Sequence, residues 1–168
     1  MNRILPPDGF VVRPATIADV PAFARMHAQC FDSAWDAATF EAHMQPPSGL
    51  GLLAARSVYP DAAVGFLLAR TAGGEGEILA MGIVSAERGR GLAGALLAEL
   101  MVIAGARATE HIHLEVAADN AAGLAAYRAA GFAVSGRRRG YYLRGDDLPV
   151  DALTMVAATG GRSDATLI

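Results

Sequence analysis

Ten residues at the middle of the chain, Arg88–Leu97 (RGRGLAGALL), join an apolar run of strand length, Ile78–Val84, to an apolar helical pattern over Leu92–Ala108. A strand, a glycine-rich turn and a long apolar helix in that order call for an α/β packing in which the helix covers the sheet. Glycine lets the backbone point successive N–H groups at one place without Cβ interference. The first turn of a helix adds unsatisfied N–H groups and the positive end of its dipole, so the turn is built to receive an anion. Arg88 and Arg90 strengthen that field. A pyrophosphate is the expected occupant.

The turn also matches G-x-G-x-x-G at Gly89, Gly91 and Gly94. A dinucleotide fold places its first glycine directly behind its first strand, with a ribose-binding acid ~20 residues on. Here four residues separate Val84 from Gly89, and too few strand–helix units follow to complete two nucleotide-binding halves. The sequence GxxxxGK[ST] is absent. A glycine-rich turn without a ligand is the plain alternative.

Around this turn the chain reads β-α-α-β-β-β-α-β-α-β-β. Residues Met1–Gly9 read as a loose arm and Phe10–Arg13 as a first strand. Thr16 or Asp19 can cap a helix carrying Val20, Phe23, Ala24, His27 and Phe31 on one face. Asp36 can cap a second helix, with Phe40 and Met44, that Pro46-Pro47 ends. Leu50–Val58 and Ala62–Ala72 read as strands joined through Tyr59-Pro60-Asp61, and Gly73–Gly76 turns into Ile78–Val84. After the long helix come a strand, Ile112–Val116, and a helix, Ala121–Ala130, which Gly131 ends. Phe132–Gly136 starts a strand, Arg137–Asp147 reads as a polar loop, Asp151–Ala158 as a last strand, and Thr159–Ile168 as a frayed tail. The fold class expected is a mixed, mostly antiparallel sheet flanked by four helices, in one domain with its core at about residues 10–158.

Composition narrows the function. At 168 residues and 53% hydrophobic the chain suits one packed α/β domain. A net charge of −3 argues against nucleic acid as the main partner. No apolar run approaches the ~18–20 residues of a membrane span, and no basic-then-apolar leader opens the chain, so a cytoplasmic protein is expected. The single cysteine, Cys30, excludes an internal disulfide and a thiolate zinc cluster, and no metal is expected.

Two further stretches can carry chemistry. In His111–Val116, Ile112, Leu114 and Val116 alternate with His111, His113 and Glu115, so one face of that strand meets solvent or a cavity. Glu115 is a candidate general base there. In Asn120–Gly131, Tyr127 shares a helical face with Leu124 and is also readable as core, while Asn120 is readable as a cap. Gly82, inside an apolar strand, marks a bulge or a close approach by a ligand, and a bulge would free N–H groups for a carbonyl oxygen. The run Arg137–Arg139 reads as solvated surface, or as an attractor of an acidic substrate or of a ribose phosphate.

Together these residues resemble the GNAT superfamily of acetyl-CoA-dependent N-acetyltransferases. The pyrophosphate motif Q/R-x-x-G-x-G/A is matched by Arg88-Gly-Arg-Gly91-Leu-Ala93, and LEVAADNAAGLAAYRAAGF (Leu114–Phe132) follows at the family's spacing. Within the superfamily the chain is most similar to the ribosomal-protein-alanine N-acetyltransferases, through Phe31-Asp-Ser-Ala-Trp35, Arg139-Gly-Tyr141-Tyr142 and Asp151-Ala152. It departs from them at Ala34 and Asp36 beside the tryptophan and at Pro149-Val150. The resemblance implies a sheet splayed at the acetyl-CoA site, with Gly82, Ile83 and Val84 along the acetyl and pantetheine portion of the cofactor and Arg88, Gly89, Arg90, Gly91, Leu92, Ala93 and Gly94 on its pyrophosphate. It implies Asn120 on the pantetheine arm, Glu115 as general base, Tyr127 as the acid for the departing thiolate, and Trp35, Tyr141 and Tyr142 bordering a peptide cleft. The partners implied are acetyl-CoA and a protein N-terminus, possibly ribosomal, with the enzyme a monomer or weak dimer.

The chemistry fits an α-amine. A peptide α-amine has a pKa near ~7.7–8.0 against ~10.4 for lysine, so deprotonation near pH ~7.4 costs under ~1 kcal/mol for the first and ~4 kcal/mol for the second. One carboxylate is adequate help for the former. Cys30 lacks an evident activating partner, so direct transfer in a ternary complex is expected. A small-molecule amine as acceptor and a non-catalytic acetyl-CoA-binding module are the competing readings.

Overall fold

The computed structural model describes residues 5–142 and 149–160. Its strands are β1 (Phe10–Pro14), β2 (Gly49–Arg56), β3 (Tyr59–Ala72), β4 (Glu75–Ile83), β5 (His111–Ala117), β6 (Ala133–Tyr142) and β7 (Val150–Ala158). Its helices are α1 (Val20–Cys30), α2 (Ala37–Met44), α3 (Leu92–Ala106) and α4 (Ala121–Ala129), with 3-10 turns at Ile17–Asp19 and Ser85–Glu87. The order along the chain is the one read from the sequence.

The seven strands form one mixed sheet in the order β1-β2-β3-β4-β5-β7-β6, antiparallel except between β4 and β5. Alternation along the strands sorts side chains into two layers. Leu52 and Leu67 join α3 and α4 on one face, whereas Leu53, Phe66 and Leu68 join α1 and α2 on the other. Helix α3 buries Leu92, Leu96, Leu97, Leu100 and Met101 at spacings of a helical stripe. Trimming a buried leucine such as Leu96 to alanine is expected to cost about 2–5 kcal/mol.

Local chemistry sets the helix ends. The Thr39 N–H donates to Asp36 Oδ1 at 2.8 Å and starts α2, and the Gly123 N–H donates to Asn120 Oδ1 at 2.9 Å and starts α4. Gly131, at φ +92°, ends α4 in the left-handed conformation that glycine favours. Ahead of α1, Asp19 accepts from the Thr16 N–H and from both terminal nitrogens of Arg13, which hold its carboxyl down at about 2.

The structure corrects four expectations. The β2–β3 turn is Ser57-Val58, and Tyr59–Asp61 lie in β3. Register jumps from Arg56↔Tyr59 to Ala55↔Ala63, an irregularity directly after the turn. Arg137–Tyr142 are strand rather than loop. They lie on the outermost strand, β6, where charged side chains suit an edge open to water. The bulge in β4 is at Leu79 and not at Gly82, because Leu68 pairs with Ala80 but Ala69 with Ile78. That extra residue puts Ile78 and Ala80, two apart, on opposite faces of the sheet. Finally, Thr159 is buried and tied down, its hydroxyl donating to Thr109 O at 2.6 Å. The expected loop beyond Tyr142 as far as Asp147, and the tail beyond Gly160, lie outside the described residues, as do residues 1–4 of the arm.

Candidate active site

Strands β4 and β5 pair only at Glu75↔His111, Gly76↔Ile112 and Glu77↔His113. Beyond that, β4 runs on with β3 as far as Ile83, and β5 runs on with β7 as far as Ala117. The two strands therefore part, leaving a cleft between Ile78–Ile83 and Leu114–Ala117. The glycine turn leaves the end of β4 and starts α3. Gly89 and Gly91 take φ of +76° and +82°, and a Cβ at either would meet nothing within 4 Å. Gly91 is the N-cap of α3, with no side chain capping it and no acidic residue in the first turn. The first N–H groups of a 15-residue helix are thus left open beside the cleft, as an anion seat requires. Arg88 turns back, its Nε donating to Ile83 O at 3.0 Å. Arg90 Nε is 3.0 Å from the buried Glu87 carboxylate, which Arg56 of β2 also pairs.

Glu115 lies on the sheet face away from α3. Its neighbours on β5, Ile112, Leu114 and Val116, are buried against the helices, whereas His111, His113 and Glu115 face the open side. The histidines share Glu75, with His113 Nε2 at 2.7 Å from Oε2, a bond that keeps the Glu75 carboxyl below its usual range. Glu115 is paired instead by Arg138, whose Nη1 is 2.8 Å from Oε1. The Arg138 guanidinium lies 4.0 Å from the Tyr141 ring centre, and Tyr141 meets Tyr142 edge-on at 5.1 Å. Tyr142 acts electrostatically on Tyr127, whose phenol burial pushes up to about 12. Glu115 and Tyr127 thus lie on opposite faces of the sheet. Among the described residues no group of three or more His, Cys, Asp or Glu side chains is placed to hold a metal ion. No helix among them is long and apolar enough to cross a membrane.

Comparison with known proteins agrees with this geometry. The profile of the acetyltransferase (GNAT) family matches residues 20–132, more than half of the chain. The chain belongs to the GNAT acetyltransferase family. It is therefore an acyltransferase of the acetyl-CoA-dependent kind. It is 37% identical over 133 residues to the N-alpha-acetyltransferase RimI of Mycobacterium tuberculosis, covering 76% of this chain and 80% of that protein. An uncharacterised protein of Mycobacterium leprae is 36% identical over 138 residues, and there the chain spans only 37% of the relative's length. The GNAT fold is shared with the ribosomal-protein-S18-alanine N-acetyltransferase of Escherichia coli, at a TM-score of 0.83, 23% identity, and coverage of 95% of this chain and 99% of that one. Arabidopsis thaliana NAA60, solved with acetyl-CoA, is similar at a TM-score of 0.76 and 20% identity, covering 89% of this chain and 98% of that one.

The remaining residues expected at the site lie in several parts of the fold. Gly82 lacks a side chain because there is no room for one: a Cβ would lie 2.8 Å from the Phe66 ring and 2.9 Å from Cys30 Sγ. The close approach at Gly82 is thus made by α1 and β3. Cys30 Sγ lies 3.6 Å from Ile83 O, and burial pushes its thiol up while Arg88 pulls against it. Ile83 packs against the α3 side of the core and Val84 against the α1 side. Asn120 uses Oδ1 as the α4 cap. Trp35 joins the aromatic packing of α1 and α2, stacked on His27 at 5.3 Å and on His43 at 5.6 Å, with its backbone N–H donating to His27 Nδ1. That bond needs His27 neutral at Nδ1, and burial favours the neutral ring. Trp35 is therefore in a different cluster from Tyr141 and Tyr142.

Two residues of the site were not singled out from sequence. Arg138 stood in a run of three arginines, which offers no alternation to separate inward from outward positions. In the structure Arg137 pairs Asp151 at 2.5 Å and Arg138 pairs Glu115, so those two are ion-paired rather than free surface. Glu87 stood in a polar loop, and its burial at 5% exposure had no signal beyond two arginines nearby.

Proposed function

We propose that this chain acetylates the N-terminal α-amine of a protein, a ribosomal protein being the favoured acceptor, by direct transfer from acetyl-CoA in a ternary complex. The observation that carries the proposal is the parting of β4 and β5, with the open start of α3 at one end of the cleft and Glu115 on the uncovered face beside it. A cofactor entering along the helix side and an amine entering from the open side would meet there. The likeness to the mycobacterial RimI, over four-fifths of that protein, supports the acceptor class.

The residues present fit the cofactor. The N–H groups from Gly89 to Gly94 would hold the diphosphate, the edge of Gly82–Val84 would lie along the pantetheine and acetyl portion, and Asn120 would meet the pantetheine arm. Acetyl-CoA supplies an activated thioester when bound. Glu115 takes the proton from the α-ammonium, directly or through water, for a penalty under ~1 kcal/mol near pH ~7.4. A backbone N–H on the edge of β4 that has no β5 partner beyond Glu77 would stabilise the oxyanion. Tyr127, with its pKa at about 12, faces a thiol of ~8.5, so complete proton transfer is uphill by about 5 kcal/mol. Its stronger contribution is a hydrogen bond to the sulfur as charge builds. Trp35, Tyr141 and Tyr142 border the acceptor side. Residues 10–158 act as one acetyltransferase domain, and a lone Cys30 suits a reducing cytoplasm.

The direct test is mass spectrometry of protein N-termini in cells with and without the gene. Loss of acetylation on the first residue of one or a few proteins is the expected result. Unchanged N-termini together with loss of an acetylated small amine would overturn the acceptor class.

A further inference from the structure

Arg138 is joined to the site by two contacts that burial does not impose, since its side chain is 53% exposed. Nη1 bonds one oxygen of Glu115, Oε1, at 2.8 Å, and the guanidinium carbon lies 4.0 Å from the centre of the Tyr141 ring. Between the two strands the lane is clear. Arg138 aligns with Ala152, and Ala152 with Ala117, all small side chains, while Glu115 aligns with Thr154 and Gly136. A Cβ on Gly136 would lie 2.6 Å from Thr154 Oγ1, so the row beside Arg138 is kept narrow by glycine. A long side chain on β6 can therefore lean diagonally across β7 to reach β5. Gly140 and Asp151 pin the far end of β6, with the Gly140 N–H donating to Asp151 Oδ1 at 2.8 Å.

We propose that Arg138 is a positioning residue for acetyl transfer, clamping Glu115 through Oε1 so that Oε2 is the oxygen presented to the acceptor amine, with Tyr141 holding the guanidinium in plane. The proposal rests on the reading of Glu115 as the general base. A carboxylate on a flexible side chain samples orientations in which neither oxygen meets the amine, and fixing one oxygen removes most of them. The charge-assisted bond at Oε1 persists while one N–H bond of the α-ammonium breaks and its proton passes to Oε2. Arginine suits the task better than lysine because its planar fork can bond a carboxylate edge and stack on a ring at once.

The test is steady-state kinetics with acetyl-CoA and an alanine-initiated peptide, on Arg138→Ala, Arg138→Lys, Glu115→Gln and the Glu115→Gln/Arg138→Ala pair. Arg138→Ala should lower kcat about tenfold with both KM values within about twofold, and Arg138→Lys should recover to within about threefold of wild type. In the Glu115→Gln background, removing Arg138 should change kcat by less than about twofold, because the group it positions is gone. A tenfold loss that persists in that background, a loss confined to peptide KM, or wild-type kcat in Arg138→Ala overturns the clamp alone. Wild-type turnover in Glu115→Gln, or no turnover of the peptide by the wild type, overturns the underlying reading and the clamp with it.

Discussion

Arg90 Nε lies 3.0 Å from Glu87 Oε2, so the second arginine of the glycine turn is ion-paired with the turn's own buried carboxylate, though Oε2 accepts no hydrogen bond among the described residues. Arg56 reaches the other oxygen from β2. The turn that starts α3 is thereby tied to β2 through a shared carboxylate. Removing one partner of a buried carboxylate is strongly destabilising, because it leaves an uncompensated charge behind.

Glu87→Gln should therefore loosen the anion seat before it touches the chemistry. The expected outcome is a KM for acetyl-CoA about 5- to 20-fold higher, with kcat changed less than about threefold. Stability should fall by about 1–3 kcal/mol, read from denaturant melts. An unchanged KM would mean that the turn keeps its shape without the pair.

Tyr127 titrates at about 12 because burial disfavours its phenolate, with Tyr142 adding to the effect. Below pH ~10 the phenol is protonated in folded and unfolded chains alike. Between there and about 12 the unfolded chain loses its proton first, so stability declines as pH rises through that interval. The phenolate absorbance of wild type minus Tyr127→Phe should show a midpoint at about 12, and a midpoint near the ordinary value of ~10 would contradict the burial argument. Tyr127→Phe should also lower kcat by ~10²-fold while leaving acetyl-CoA affinity intact.

Cys30 is the one thiol in the chain, and burial raises its pKa even with Arg88 beside it. A protonated thiol packed under Gly82 is a poor nucleophile. Cys30→Ala should retain kcat within about threefold, and wild type incubated with labelled acetyl-CoA alone should carry no covalent label. Label retained on Cys30 would replace direct transfer with an acyl-enzyme.

The parts of this site that are legible in sequence are those where one local rule acts alone. The glycines before α3, the caps at Asp36 and Asn120, and the alternation that exposes Glu115 are of that kind. Tertiary packing decides the others. Gly82 reads as a bulge, yet its missing side chain answers to Phe66 and Cys30, from β3 and α1. Tyr59-Pro60-Asp61 carries stronger turn chemistry than Ser57-Val58, but strand register selects the latter. Three consecutive arginines hide which of them turns toward Glu115.

The acceptor is best decided by competing two peptides of equal length, one with a free α-amine and no lysine, the other N-terminally blocked with one internal lysine. The account predicts that the first is acetylated with one coenzyme A released per acetyl group transferred, and that the second is turned over at least about 100-fold more slowly, as the ~2.4-unit gap between the two amine pKa values favours. Equal or faster acetylation of the blocked peptide would contradict it.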